Sequence, residues 1–181
     1  MIKLKQVNFR HLNIMLDSSS FLNKFLQNLR FKQAKIFLIG DILDFGGNRG
    51  ELRKFVRGRY LAVNYDHAAM DNACYDTIVC LAVIEHIDMD EVFRIFYKFK
   101  NILNKNGRIF LTTPTKAAKP VLEFMALVGI IDKASIAEHK HYWRKKEIYT
   151  LAEKSGFVIK KYKKFQLGFN QSAVLEHKER F

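Results

Sequence analysis

Three places in this chain combine residue types that could do chemistry. The first is Asp44-Phe45-Gly46-Gly47-Asn48-Arg49-Gly50, which follows a short apolar run. Glycines at such a place let the backbone turn tightly and bring its N–H groups against a bound molecule. Asn48 stands between them; asparagine tolerates left-handed backbone better than most residues, and its amide adds a polar contact. The spacing is not the Gly-x-Gly-x-x-Gly of nicotinamide-binding loops. The second place is Glu85-His86, shortly after the apolar run Thr77 to Leu81. The third is His139-Lys140-His141-Tyr142-Trp143. A histidine titrates near neutrality and can act as a general base, or it can hydrogen-bond its own loop. His139 and His141 share a face if that stretch is extended. No further Cys, His or acid stands near them in a metal-ligand spacing, so no metal site is expected.

The elements that must position these residues alternate between strand and helix. Strand one ends at Asp44-Phe45, a short helix runs from Glu51 to Val56, and Tyr60 to Asn64 reads as strand two. After the strand Thr77 to Leu81, acids at Asp88, Asp90 and Glu91 suit a helix N-terminus. Val92, Ile95, Phe96, Phe99, Ile102 and Leu103 form that helix's apolar stripe, and Gly107 reads as its stop. Strand five is Arg108 to Thr113, a helix covers Arg144 to Ser155, and Phe157 to Phe165 is strand six. Near the N-terminus, Ser18 to Ser20 can cap a helix with Phe21, Leu22, Phe25, Leu26 and Leu29 on one face. Eleven residues, Tyr65 to Tyr75, are left between strand two and Asp76, which marks the start of the next strand. A mean helix takes about eleven residues and a mean strand about five or six, so a helix and a strand cannot both fit there in full.

The glycine loop, the run Tyr75 to His86 and the run Asn106 to Pro114 together resemble the class I S-adenosylmethionine-dependent methyltransferases, specifically the small type 11 group. The resemblance covers about Ile42 to Gln171. It implies an α/β, Rossmann-like three-layer sandwich. Its sheet is mostly parallel, with an antiparallel last strand (Ser172 to His177) between strands five and six, and is shortened here at the strand-three edge. It further implies that S-adenosyl-L-methionine is held by Asp44, Gly46, Gly47, Asn48, Gly50, Leu81 and Ala82. At the end of strand two the family places an acid on the ribose hydroxyls. Asn64 occupies that position, with Asp66 two residues on as the fallback. A neutral amide gives up charge-assisted bonds that are roughly twice as strong as neutral ones. His139, His141 and His86 are the candidate bases, and Asp76 is expected to be structural.

Length and composition fit one domain over 1–181, with a helical region at 1–35 and a lid-like insertion at 116–143. Hydrophobic residues make up 49% of the 181, which is enough for a single core. No run approaches the roughly twenty apolar residues of a membrane span. Neither a secretory signal nor a disulfide framework is visible, with Cys74 and Cys80 as the two cysteines, so a cytoplasmic location is expected. Net charge is +13, which favours anionic partners unless the lysines are simply solvated surface. Val121 to Ile131 is apolar nearly all round and reads as a buried helix or as a lid over a hydrophobic acceptor.

The function expected is therefore methyl transfer to an oxygen or nitrogen of a small acceptor, hydrophobic or anionic, lipid-linked or sugar-containing. A peripheral membrane contact is compatible with that. A methyltransferase-like binding module without turnover is the alternative, favoured by Asn64 and the short connection after strand two. RNA methylation comes third, since no RNA-binding appendage accompanies the charge.

Overall fold

A computed structural model of the 181-residue chain describes residues 24–47, 50–64, 70, 73–130, 136 and 138–179. The expected serine cap, Asn48 and Asp66 lie outside the described residues. Helix α1 covers residues 24–34. The strands are β1 (Ile42–Phe45), β2 (Tyr60–Val63), β3 (Tyr75–Leu81), β4 (Leu103–Pro114), β5 (Phe157–Phe165) and β6 (Asn170–His177). They form one sheet in the order β2-β1-β3-β4-β6-β5. The first four strands are parallel, and β6 runs antiparallel to both β4 and β5. Among the described residues no strand lies between Val63 and Tyr75, so β2 is the sheet edge.

The centre of the sheet is covered on both faces, which is why β1, Ile-Leu-Asp-Phe, is buried at every position. On one face Leu43, Phe45, Ile78, Cys80 and Ile109 pack with α2 (Met89–Ile102) and α4 (Lys145–Lys154). On the other, Ile42, Val79, Phe110 and Val174 meet Ala34 and Phe31 of α1 and Leu52 of a short 3-10 turn. The stripe of α2 is as read from the sequence: Val92, Ile95, Phe96, Phe99 and Ile102 are buried. Its end is not. The chain passes from Ile102 directly into β4, and Gly107 sits further on, where an added Cβ would meet the Asn104 and Asp76 carbonyl oxygens at 2.9 and 3.0 Å.

Asp76 has the expected structural role. Its carboxylate accepts hydrogen bonds from the Asp41 N–H at 2.9 Å and the Asn104 amide at 2.7 Å, which hold its pKa below the usual carboxylate range. Lys160, Lys161, Lys163 and Lys164 are exposed along β5, the other sheet edge. Lysines on an edge strand discourage pairing with another chain, which accounts for part of the charge without a ligand.

Candidate active site

The chain leaves β1 toward β2 on one side and returns to β3 on the other, so the sheet has a switch point between β1 and β3. Loops at the carboxyl ends of strands flanking such a point form a crevice. The glycine loop opens there. Gly46 (φ 87°) and Gly50 (φ 61°) both adopt left-handed backbone, and a Cβ on Gly46 would lie 2.3 Å from Val83. Gly46 N–H donates to Val63 at 2.7 Å, and Gly50 N–H donates to Gly47 at 2.8 Å. Asp44 lies beneath the loop, 4% exposed, with its carboxylate against the backbone of Gly47. Burial raises its pKa to about 6, while the hydrogen bond from Tyr60 (2.5 Å) draws it back down. Among the described residues an added Cβ on Gly50 would meet only a Tyr60 ring carbon, at an ordinary contact distance of 3.6 Å. These residues fit a nucleoside-bearing cofactor: a glycine cradle, a carboxylate at the strand end, and the exposed Asn64 amide at the end of β2.

Leu81 and Ala82, both half-buried, end β3 beside this loop. Ala82 takes φ 57°, an uncommon conformation for alanine, and its N–H donates to Thr112 at 2.9 Å. The turn it makes sends Ile84–His86 back across the carboxyl end of the sheet. Glu85 is buried, accepts a hydrogen bond from the Thr113 hydroxyl at 3.0 Å, and has its pKa pushed by burial to about 7. His86 and His139 meet edge to face with ring centroids 4.6 Å apart. His139 Nδ1 lies 3.0 Å from the Tyr142 hydroxyl. Burial, then the neighbouring His86 and Arg30, lower His139 to about 4; burial first, with Arg30 assisting, lowers His86. Arg30 of α1 acts on Glu85 as well, so four titratable groups converge at the end of β3 and β4.

The segment carrying His139 is anchored rather than loose. Glu85 accepts from the Lys140 and His141 N–H groups at 2.8 and 3.1 Å, and the buried Trp143 indole donates to Ile84 at 3.2 Å. Lys140 pairs with Asp88 at 2.6 Å. His141 does not join His139. Its Nε2 lies 3.1 Å from Glu147 at the start of α4, and its ring meets Trp143 edge to face. Helix α3 (Ala118–Leu127) buries only Ala118 and Ala126. Phe124 and Leu127 are 62% and 72% exposed, so the reading of this helix as buried core does not hold.

Arg30 was not singled out from the sequence, and Glu85 and Tyr142 stood in two of the runs singled out there without a role of their own. A charged residue inside the apolar stretch Leu81 to Ile87 was the available signal for a role of Glu85; nothing local marks Arg30.

A family described as "Methyltransferase domain" matches residues 19–162. No curated protein matches the chain. The fold is shared with the mitomycin 7-O-methyltransferase MmcR (15% identity, TM-score 0.63, covering 84% of this chain and 54% of that one). The pyocyanin biosynthetic protein PhzM is similar (17%, 0.64, covering 83% and 55%), as is the PH0226 protein from Pyrococcus horikoshii OT3 (12%, 0.61, covering 87% and 91%). The chain spans about half the length of the first two. With its shortened but otherwise Rossmann-like sheet, this chain belongs to the methyltransferase domain family of the class I S-adenosylmethionine-dependent fold.

Proposed function

We propose that this chain transfers a methyl group from S-adenosyl-L-methionine to an oxygen or nitrogen of a small acceptor. The observation that carries the reading is the juxtaposition at one end of the sheet of the glycine loop after β1 and the Glu85–His86–His139 group after β3. The sulfonium of the cofactor supplies a methyl group that is already activated. The protein's share is to hold the acceptor atom in line with it, and proximity and orientation can supply roughly 7–11 kcal/mol. His139, kept neutral by its surroundings, is the base that takes the proton shed by an acceptor hydroxyl or amine, with Tyr142 fixing its ring. His86, its ring against that of His139, is the second base candidate. His141 is assigned to holding α4 instead.

The exposed apolar residues of α3 and the net charge of +13 support a hydrophobic or anionic acceptor. A second reading, a binding module without turnover, is favoured by Asn64 in place of an acid. Calorimetry with S-adenosylhomocysteine and a methyl-transfer assay with isotopically labelled donor separate the two. Cofactor binding with transfer to a small acceptor is the expected result. Binding without transfer to any acceptor tested favours the module, and no binding at millimolar ligand removes both.

A further inference from the structure

We propose that Glu85, His86 and His139 bind a divalent transition-metal cation on the acceptor side of the site. This deepens the methyltransferase reading and rests on it for the identity of what the cation would face. One donor atom from each of the three residues lies within 4.8 Å of the other two. Two imidazoles and a carboxylate suit Zn²⁺, Co²⁺, Mn²⁺ or Fe²⁺, whereas Mg²⁺ and Ca²⁺ prefer all-oxygen sets. Donors bonded at about 2.1 Å around a tetrahedral ion stand roughly 3.4 Å apart, so the three side chains close inward by about an ångström on loading.

The outer partners are of the kind that orient metal ligands. A ligating imidazole usually gives its other ring nitrogen to a protein group. His139 Nδ1 is engaged by Tyr142 at 3.0 Å, which leaves Nε2 for a cation. The His86 ring is hydrogen-bonded to the Glu138 backbone. Thr113 holds one oxygen of Glu85. The backbone bonds from Lys140 and His141 to the Glu85 carbonyl fix the two halves of the site to each other. Three protein donors leave coordination positions open, as at catalytic zinc. An acceptor hydroxyl bound there would lose its proton to solvent more readily, so in the loaded protein the histidines serve as ligands and the base role given to His139 above holds for the metal-free site. Arg30 opposes a cation, because its charge reaches all three residues.

The test is a Co²⁺ titration of chelator-stripped full-length protein, read by visible d–d absorption, with Mg²⁺ as comparator in calorimetry. One Co²⁺ per chain is expected, with Mg²⁺ far weaker. His86→Ala and His139→Ala should each weaken Co²⁺ by at least about tenfold, given that even outer-shell changes cost that much. Arg30→Met should tighten it. Absence of stoichiometric Co²⁺ binding, or binding unchanged in both histidine variants, overturns the proposal. Should the buried Glu85→Gln variant fail to fold, the histidine variants still decide. S-adenosylhomocysteine affinity is measured on the same samples. Intact cofactor binding without Co²⁺ binding rejects the metal alone, whereas lost cofactor binding in the wild type rejects the methyltransferase reading whatever Co²⁺ does.

Discussion

Tyr60 donates its hydroxyl hydrogen to Asp44 across 2.5 Å, tying edge strand β2 to the residue from which the glycine loop departs. The bond moderates a costly burial: the Asp44 carboxyl titrates near 6 instead of its ordinary 3.8. A carboxyl whose folded pKa is raised stabilises the fold in its protonated form. That stability is complete below about pH 4 and is lost as pH rises through 6. The loss is on the order of 2–3 kcal/mol, since one unit is worth about 1.4. Asp44→Asn keeps an acceptor for Tyr60 and cannot ionise. Urea unfolding should find it more stable than the wild type at pH 8, with the gap closing at pH 4. An equal gap at both values would show that Asp44 titrates normally.

Asn64 stands exposed at the carboxyl end of β2, one residue past Val63. If its side chain meets the ribose, Asn64→Asp replaces a neutral hydrogen bond by a charge-assisted one, a gain of roughly 1 kcal/mol. S-adenosylhomocysteine should then bind about fivefold tighter by calorimetry, with no change in melting temperature. Unchanged or weaker binding would move the ribose contact elsewhere.

The sheet was largely legible because its strands carry continuous apolar runs that only a doubly covered position explains. Thr77 to Leu81 is an example, and Ile42–Phe45 is another, interrupted by Asp44 alone. The shortened edge followed from counting residues against what a helix and a strand require. The convergence of Glu85 with His139 was not legible, because the two lie far apart in the chain and are brought together by tertiary contacts, among them the backbone bonds from Lys140 and His141 to the Glu85 carbonyl and the Trp143 indole bond to Ile84. Local alternation predicted a shared face for His139 and His141, but Glu147 at the start of α4 draws His141 away. Apolar composition likewise could not say whether α3 is covered, since hydrophobicity records a preference for burial and not what is available to cover it.

Helix α3 buries Ala118 and Ala126 and leaves Val121, Phe124, Leu127 and Val128 on its other face. Leu127→Lys should therefore leave stability within about 0.5 kcal/mol, as for most surface changes. If this face receives a hydrophobic acceptor, the variant keeps its cofactor affinity and raises the acceptor KM. Cooperative melting together with unchanged acceptor kinetics would remove α3 from substrate recognition. A loss of several kcal/mol would mean that Leu127 packs against something after all.

Gln171 supplies the reason for a polar residue in the buried part of β6. Its amide donates to the Trp143 carbonyl at 2.6 Å, and its Oε1 accepts from the Tyr162 hydroxyl at 2.7 Å. One side chain thus fastens the stretch running from His139 to α4 onto the sheet. Gln171→Leu preserves much of the volume but leaves a buried carbonyl without its donor and a hydroxyl without its acceptor. Each such group costs about 1–3 kcal/mol, so a loss of roughly 2–6 kcal/mol is expected in urea unfolding. Because the glycine loop lies at β1 and not at β6, S-adenosylhomocysteine affinity in the folded fraction should change little. Turnover should fall by more than cofactor binding does, since His139 is then less well placed. A variant that loses stability and cofactor affinity in equal measure, with kcat preserved, would show that Gln171 supports the core alone and does not position the base.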